Sequence, residues 1–212
     1  MILARVLASV ALLSFAVPAL AQTSVQRADA YYTGGQAALE RSLGRKPNTR
    51  RAKNVILFVG DGMGPSTITA SRIFDGQRRG VDGESNALAF EQLPYLALSK
   101  TYAADAQTPD SAATASAMLT GVKTRNRLIG VGPGTTPQDC ISGRANTLTT
   151  LAELARARGK AAGAVTTTRL THATPAATYA HVAWREWEAD SDLSPEARAA
   201  GCPDIARQLV EA

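Results

Sequence analysis

Ser111 is the residue whose type and setting most directly suggest chemistry. It stands in Thr108-Pro109-Asp110-Ser111-Ala112-Ala113-Thr114-Ala115-Ser116-Ala117-Met118-Leu119-Thr120-Gly121. Pro109 favours an extended approach, the small residues after Ser111 tolerate a helix, and Gly121 suits its end. A hydroxyl at a helix start lies among free backbone N–H groups and at the positive end of the helix dipole, where a phosphate-like anion is favoured. It either caps the helix or attacks an electrophile whose negative charge the same N–H groups stabilise. An unassisted serine hydroxyl is a poor nucleophile near neutral pH, so attack needs a base or a metal ion. Upstream, Val55-Ile56-Leu57-Phe58-Val59-Gly60-Asp61-Gly62-Met63-Gly64 ends an apolar run in a lone Asp between glycines. The glycines let a ligand approach the backbone, and a carboxylate there either serves a turn or holds a hard or borderline cation.

The elements that would position these groups point to an α/β fold. Val55–Gly60 carries no polar side chain, which suits a strand buried on both faces, and Pro65-Ser66 opens a helix to about Arg79, ended by Gly80. Tyr95–Tyr102 and Ala161–Thr168 read as further strands, while Gly130–Gly134 with Pro137 mark a long surface loop. Asn146 is a candidate N-cap for a helix to Arg158, with Gly159 beyond its end. Further helices are expected around Ala37–Leu43, in Thr174–Val182 after Pro175, and over Pro203–Val210. Alternating strands and helices imply a largely parallel sheet with helices on both faces, whose ligands collect beyond the carboxyl ends of the strands. Asp61 is placed there, and so are the residues after Thr168.

Composition sets the compartment and narrows the partners. A chain of 212 residues with 45% apolar and 19% charged residues falls among ordinary soluble globular proteins and can bury a sizeable core. Residues 1–21 differ: Arg5 is their only charge, an apolar run covers Val6–Val17, and Ala19-Leu20-Ala21 is a small-x-small cleavage signal. They read as a secretory signal peptide, too short to span a membrane, so the mature chain is expected to be exported, to the periplasm or the medium. Residues 22–53 form a polar segment whose Arg41, Arg45, Lys46, Arg50, Arg51 and Lys53 supply much of the net charge of +5. Pro47-Asn48-Thr49 break this run, which favours a solvated linker over a nucleic-acid surface. Export also allows Cys140 and Cys202 to pair, two free buried thiols being the alternative.

Asp61-Gly62-Met63-Gly64 together with Thr108-Pro109-Asp110-Ser111-Ala112-Ala113-Thr114-Ala115 resembles the metal-dependent alkaline phosphatases. The matching segments run from about Asn54 to the C-terminus, so 54–212 is identified as the N-terminal part of such a domain. The resemblance implies that Ser111 is the phosphorylated nucleophile and also a metal ligand. It further implies that Asp61 bridges a zinc and a magnesium ion, and that two zinc ions and one magnesium ion serve the reaction. In-line transfer to Ser111 and hydrolysis of the phosphoserine would follow, the zinc ions stabilising the attacking and leaving oxygens. In Thr166-Thr167-Thr168-Arg169-Leu170-Thr171-His172-Ala173-Thr174-Pro175-Ala176-Ala177, Thr174 matches a magnesium ligand. His172, close by, stands where some bacterial members carry Asp and vertebrate ones His, and would make the magnesium site less negative. Arg185 matches the phosphate-binding arginine, whose guanidinium fork suits two phosphate oxygens, and Asp110 would orient it. The vertebrate-type members also carry a bridge equivalent to Cys140–Cys202, and the family implies phosphate monoester substrates and a homodimer.

His172 and His181 are the only two histidines, and neither stands in a zinc-ligand position. The chain therefore reads as a fragment of a longer, active precursor, itself inactive for want of most zinc ligands. His181 is expected to be structural, and Trp184 and Trp187 to serve packing. A related phosphodiesterase or sulfatase-type hydrolase, or a secreted phosphate-binding protein without catalysis, remain alternatives. The Pro and Arg that a sulfatase needs downstream of its nucleophile are absent after Ser111.

Overall fold

The computed structural model describes residues 25–212, so the expected signal peptide of residues 1–21 lies outside the described residues. The chain divides into two units. One comprises the described residues to Arg51 with Ala89–Leu96, and the other Ala52–Leu88 with Ala97–Ala212.

The first unit holds helices α1 (Val25–Ala28) and α2 (Ala30–Leu43). Asp29 caps α2 by accepting from the Tyr31 and Tyr32 N–H groups at 2.8 and 3.1 Å, so the helix begins well before the expected Ala37. The basic run that follows is largely exposed, with the Arg45 guanidinium donating to the Glu91 carbonyl at 3.0 Å.

The second unit contains α3 (Pro65–Arg78), α4 (Ser111–Thr120), α5 (Cys140–Ala145), α6 (Leu151–Arg156), α7 (Ala173–Ala176), α8 (Pro195–Ala199) and α9 (Ile205–Glu211). Its core is built from small side chains. Ala112 and Ala115 of α4 pack with Ala173 and Ala176 of α7, and Trp187, Ile129, Val182 and Ile205 are among the larger members of the same cluster. Alanine faces let two helices approach closely, so burial is gained through close approach more than through side-chain bulk.

The parallel sheet is not formed among the described residues. Residues 54–60, 95–102 and 161–168 are non-helical and pair with no neighbouring strand, and Phe58 is 90% exposed. An apolar run becomes a buried strand only where adjacent strands take up its N–H and C=O groups, and these segments meet none. The only strand-like pairings among the described residues are isolated antiparallel bridges, Ile129↔Val182 and Val131↔Thr147.

Those bridges correct the expected surface loop at Gly130–Gly134, because Leu128–Gly132 is buried. Gly130, at φ +64°, could carry no Cβ without striking the Ala180 carbonyl. Asn146 also does not open a helix. It terminates α5, while Thr150 and Glu153 form a reciprocal capping box that starts α6. Two side-chain bonds closing on each other outcompete the single one Asn146 could offer. The helix expected over Thr174–Val182 stops after the one turn of α7. At the C-terminus, Asp204 caps α9 by accepting from the Arg207 N–H at 2.7 Å, so the helix begins beyond the expected Pro203.

Cys140 and Cys202 form a disulfide with a Cα–Cα distance of 5.8 Å across 62 residues of sequence. His181 is structural as expected, with Nδ1 2.8 Å from the Gly130 carbonyl oxygen and Nε2 2.9 Å from Glu153 Oε1. No helix among the described residues is long and apolar enough to cross a membrane. Replacing both cysteines by alanine is expected to lower stability by about 4 kcal/mol on the chain-entropy model, measured as a shift in denaturant midpoint. Thiol titration of the unreduced, unfolded protein is expected to find no reactive thiol at either position.

Candidate active site

The site is built from the start of α4 outward. Asp110, not Ser111, is the helix cap: its Oδ1 accepts from the Ala113 N–H at 3.0 Å. Capping by the preceding carboxylate leaves the Ser111 hydroxyl unneeded by the helix, and Gly121 closes the other end in the left-handed conformation, φ +77°. The buried Ser116 hydroxyl fixes the helix from below, accepting from the Gly130 N–H at 3.0 Å and donating to the Leu128 carbonyl at 3.3 Å.

The freed Ser111 hydroxyl donates to Asp61 Oδ1 at 2.9 Å, and the Thr174 hydroxyl donates to Asp61 Oδ2 at 2.6 Å. Residues 50 and 113 positions from Asp61 thus meet on one carboxylate. The Thr174 hydrogen bond holds the Asp61 carboxyl below its ordinary pKa, with help from Ser111 and against the opposing effect of burial. Asp61 is therefore an anion across the neutral and alkaline range, with two hydroxyl oxygens beside it.

A second carboxylate organises the cationic side. Asp110 Oδ2 accepts from Arg185 Nη1 at 3.1 Å and from the Arg127 N–H at 3.0 Å, and the Asp110 N–H donates to Asn126 Oδ1 at 2.9 Å. Arg185 Nη2 lies 3.1 Å from His172 Nε2. A guanidinium has no acceptor, so Nε2 accepts and the imidazole proton falls on Nδ1. That Nδ1 is buried without a hydrogen-bond partner, 4.0 Å from Asp61 Oδ2. Asp61, Asp110, Ser111, His172, Thr174 and Arg185 are thereby brought together.

Sequence reasoning missed Asn126, which holds the α4 mouth, Ser116, which fixes the helix from below, and Glu188, which braces the segment before His172. Arg169 grips Glu188 with both arms of its fork at 2.8 and 2.6 Å, and the Thr171 hydroxyl donates to the same carboxylate at 2.5 Å. The Arg169 hydrogen bond, joined by Thr171, pushes the Glu188 carboxyl down to about 2. Burial pushes the Tyr179 hydroxyl up to about 12, so it stays a phenol and donates to the Leu170 carbonyl at 2.7 Å. None of these residues stands in a pattern that local sequence could have exposed.

Among the described residues no group of three His, Cys, Asp or Glu side chains could hold a metal. The donor set that is present is one carboxylate and two hydroxyls, with an orphaned imidazole nitrogen behind it. Oxygen donors of this kind fit part of the shell of one hard cation such as magnesium. They do not furnish two zinc sites.

A family model for alkaline phosphatase matches residues 52–212. The chain belongs to the alkaline phosphatase family. It is 50% identical to the tissue-nonspecific alkaline phosphatase of Gallus gallus over 164 residues, which are 77% of this chain and 32% of that protein. With the human tissue-nonspecific isozyme it shares 49% over 166 residues, 78% of this chain and 32% of the relative. With the alkaline phosphatase of Gadus morhua the figures are 45% over 177 residues, 83% and 37%. Among solved structures, a cold-active alkaline phosphatase from a psychrophilic Shewanella species superposes with a TM-score of 0.51 at 34% identity, covering 61% of this chain and 30% of that one. The chain thus spans about a third of the length of these relatives.

The Glu188 clamp makes a testable contribution. Its folded pKa lies below the unfolded carboxylate value, so its stabilisation is complete above pH about 4.5 and is lost as pH falls toward about 2. Glu188→Gln is expected to lower the denaturant midpoint at neutral pH and to flatten its decline across that acid window, measured by urea titration at stepped pH.

Proposed function

We propose that a protein carrying this chain is an exported phosphomonoesterase in which Ser111 attacks the phosphorus of a phosphate monoester. The observation that carries this reading is the meeting of the Ser111 and Thr174 hydroxyls on Asp61 at the mouth of α4, beside the Arg185–Asp110 pair.

The Ser111 Oγ–P bond forms as the ester P–O bond breaks, giving a phosphoserine and an alcohol, and water then returns the serine and releases inorganic phosphate. Arg185 presents a planar fork to two phosphate oxygens; Asp110 takes one N–H of its Nη1 and His172 one of its Nη2, which leaves each terminal nitrogen a second N–H for the anion. The N–H groups of the first turn of α4 add the positive end of a helix dipole at the same place. Asp61 orients the Ser111 hydroxyl; with its pKa held low it is a weak proton acceptor. Asp61 and Thr174 would hold magnesium, with His172 next to it lowering the negative charge of that site. Divalent cations, when bound, supply the charge that favours the serine alkoxide and offsets the negative phosphoryl oxygens. Zinc chemistry of the family's kind needs more donors than Asp61 and Ser111 provide. The disulfide and the expected leader at residues 1–21 fit an oxidising, exported setting.

In the complete protein, Ser111→Ala is expected to lower phosphomonoester turnover by at least about a thousandfold. Acid quench during turnover of the unsubstituted protein, followed by peptide mass spectrometry, should find phosphate on residue 111. A Ser111→Ala protein with full turnover overturns the reading. Arg185→Ala should lower kcat/KM by about ten- to a hundredfold, the loss expected of charge-assisted hydrogen bonds to a phosphate.

A further inference from the structure

Arg127 is in the left-handed backbone region at φ +71°, which a non-glycine residue adopts only where its surroundings hold it there. Its backbone is used on both sides. The Arg127 N–H donates to Asp110 Oδ2 at 3.0 Å, the same oxygen that receives Arg185 Nη1, and the Arg127 carbonyl accepts the Arg185 N–H at 2.8 Å. One peptide turn therefore touches both the partner and the main chain of Arg185.

Its side chain supplies the restraint. The Arg127 guanidinium lies 4.7 Å from the Trp184 ring centroid, in cation–π contact, and Trp184 packs against the buried core immediately before Arg185 in sequence. Two residues further on, Ile129 pairs with Val182 through reciprocal backbone bonds of 3.0 and 2.9 Å. The segment around Arg127 is thus pinned to the segment around Arg185 at its backbone and at its side chain. Arg127 itself is exposed, so its position owes little to burial.

We propose that the Arg127–Trp184 stack is a positioning device for phosphate recognition, holding the strained Arg127 turn so that Asp110 and Arg185 keep the fork aimed at the anion. This rests on the reading of Arg185 as the phosphate-binding residue. The stack acts through geometry rather than through the charge of Arg127.

The test uses the complete, metal-loaded protein, with inorganic phosphate as the competitive probe and a phosphomonoester as substrate. Trp184→Ala leaves every charge in place. It is expected to raise the inhibition constant for phosphate and the KM by about two- to fivefold, the range a partly exposed cation–π contact supports, with a smaller change in kcat. Trp184→Phe, which keeps an aromatic face, is expected to restore most of that loss. Arg127→Met, at an exposed position, should produce a loss of similar size. The Arg127→Met/Trp184→Ala double variant should then be no worse than either single one, because both delete the same contact. Additive losses in the double variant overturn the proposal, as does an unchanged phosphate constant in Trp184→Ala. A loss confined to kcat that Trp184→Phe fails to rescue does so too. Arg185→Ala separates this inference from the one beneath it. If Arg185→Ala weakens phosphate binding while the stack variants do not, the stack proposal alone fails. If Arg185→Ala leaves phosphate binding unchanged, the assignment of Arg185 fails and the stack proposal with it.

Discussion

The Asp110 carboxylate is the constraint on which the cationic half of the site depends. One oxygen caps α4 through Ala113, and the other accepts from the Arg127 backbone and the Arg185 guanidinium. Its own N–H is taken by Asn126. A single side chain therefore fixes where the helix begins, where the arginine fork lies and how the turn between them runs. A carboxylate accepting this many hydrogen bonds keeps its charge well compensated, which is what permits it to sit half-buried beside the site. Because Asp110 takes the capping role, Ser111 is free to donate its proton elsewhere, and it donates to Asp61.

Packing below the site serves the same end. The alanine faces of α4 and α7 bring the segment carrying Ser111 against the one carrying Thr174, so that two hydroxyls from distant parts of the chain reach one carboxylate. The disulfide ties α5 to the loop before α9, and Glu188 braces the stretch leading into α7. These restraints all act within the second unit, and they stop short of Asp61, which stays exposed.

How far the sequence foretold this differs from element to element. The α4 helix, its left-handed Gly121 end and the α3 helix opened by Pro65 were legible, because caps and breakers act locally. Ser111 and Asp61 drew notice by their own surroundings, whereas Thr174, His172 and Arg185 were singled out only through resemblance, since Asp61 reaches Thr174 across 113 positions and no spacing rule spans such a gap. The expected sheet is not formed among the described residues for a related reason: an apolar run states a need to be covered, while its coverage depends on strands supplied from elsewhere. Asn146 failed because the Thr150–Glu153 pair made a better start further along the chain. Arg127 and Glu188 gave no signal, as each acts through contacts that only the folded chain creates.

The ribbon Val55–Val59 leads straight into Asp61 with its apolar side chains bare to solvent. Bare, unpaired ribbons adhere to copies of themselves and are what chaperones grip. The carboxylate that gathers the two hydroxyls is therefore tethered to a bare apolar stretch of the chain. Any change to that ribbon therefore also acts on the immediate approach to Asp61.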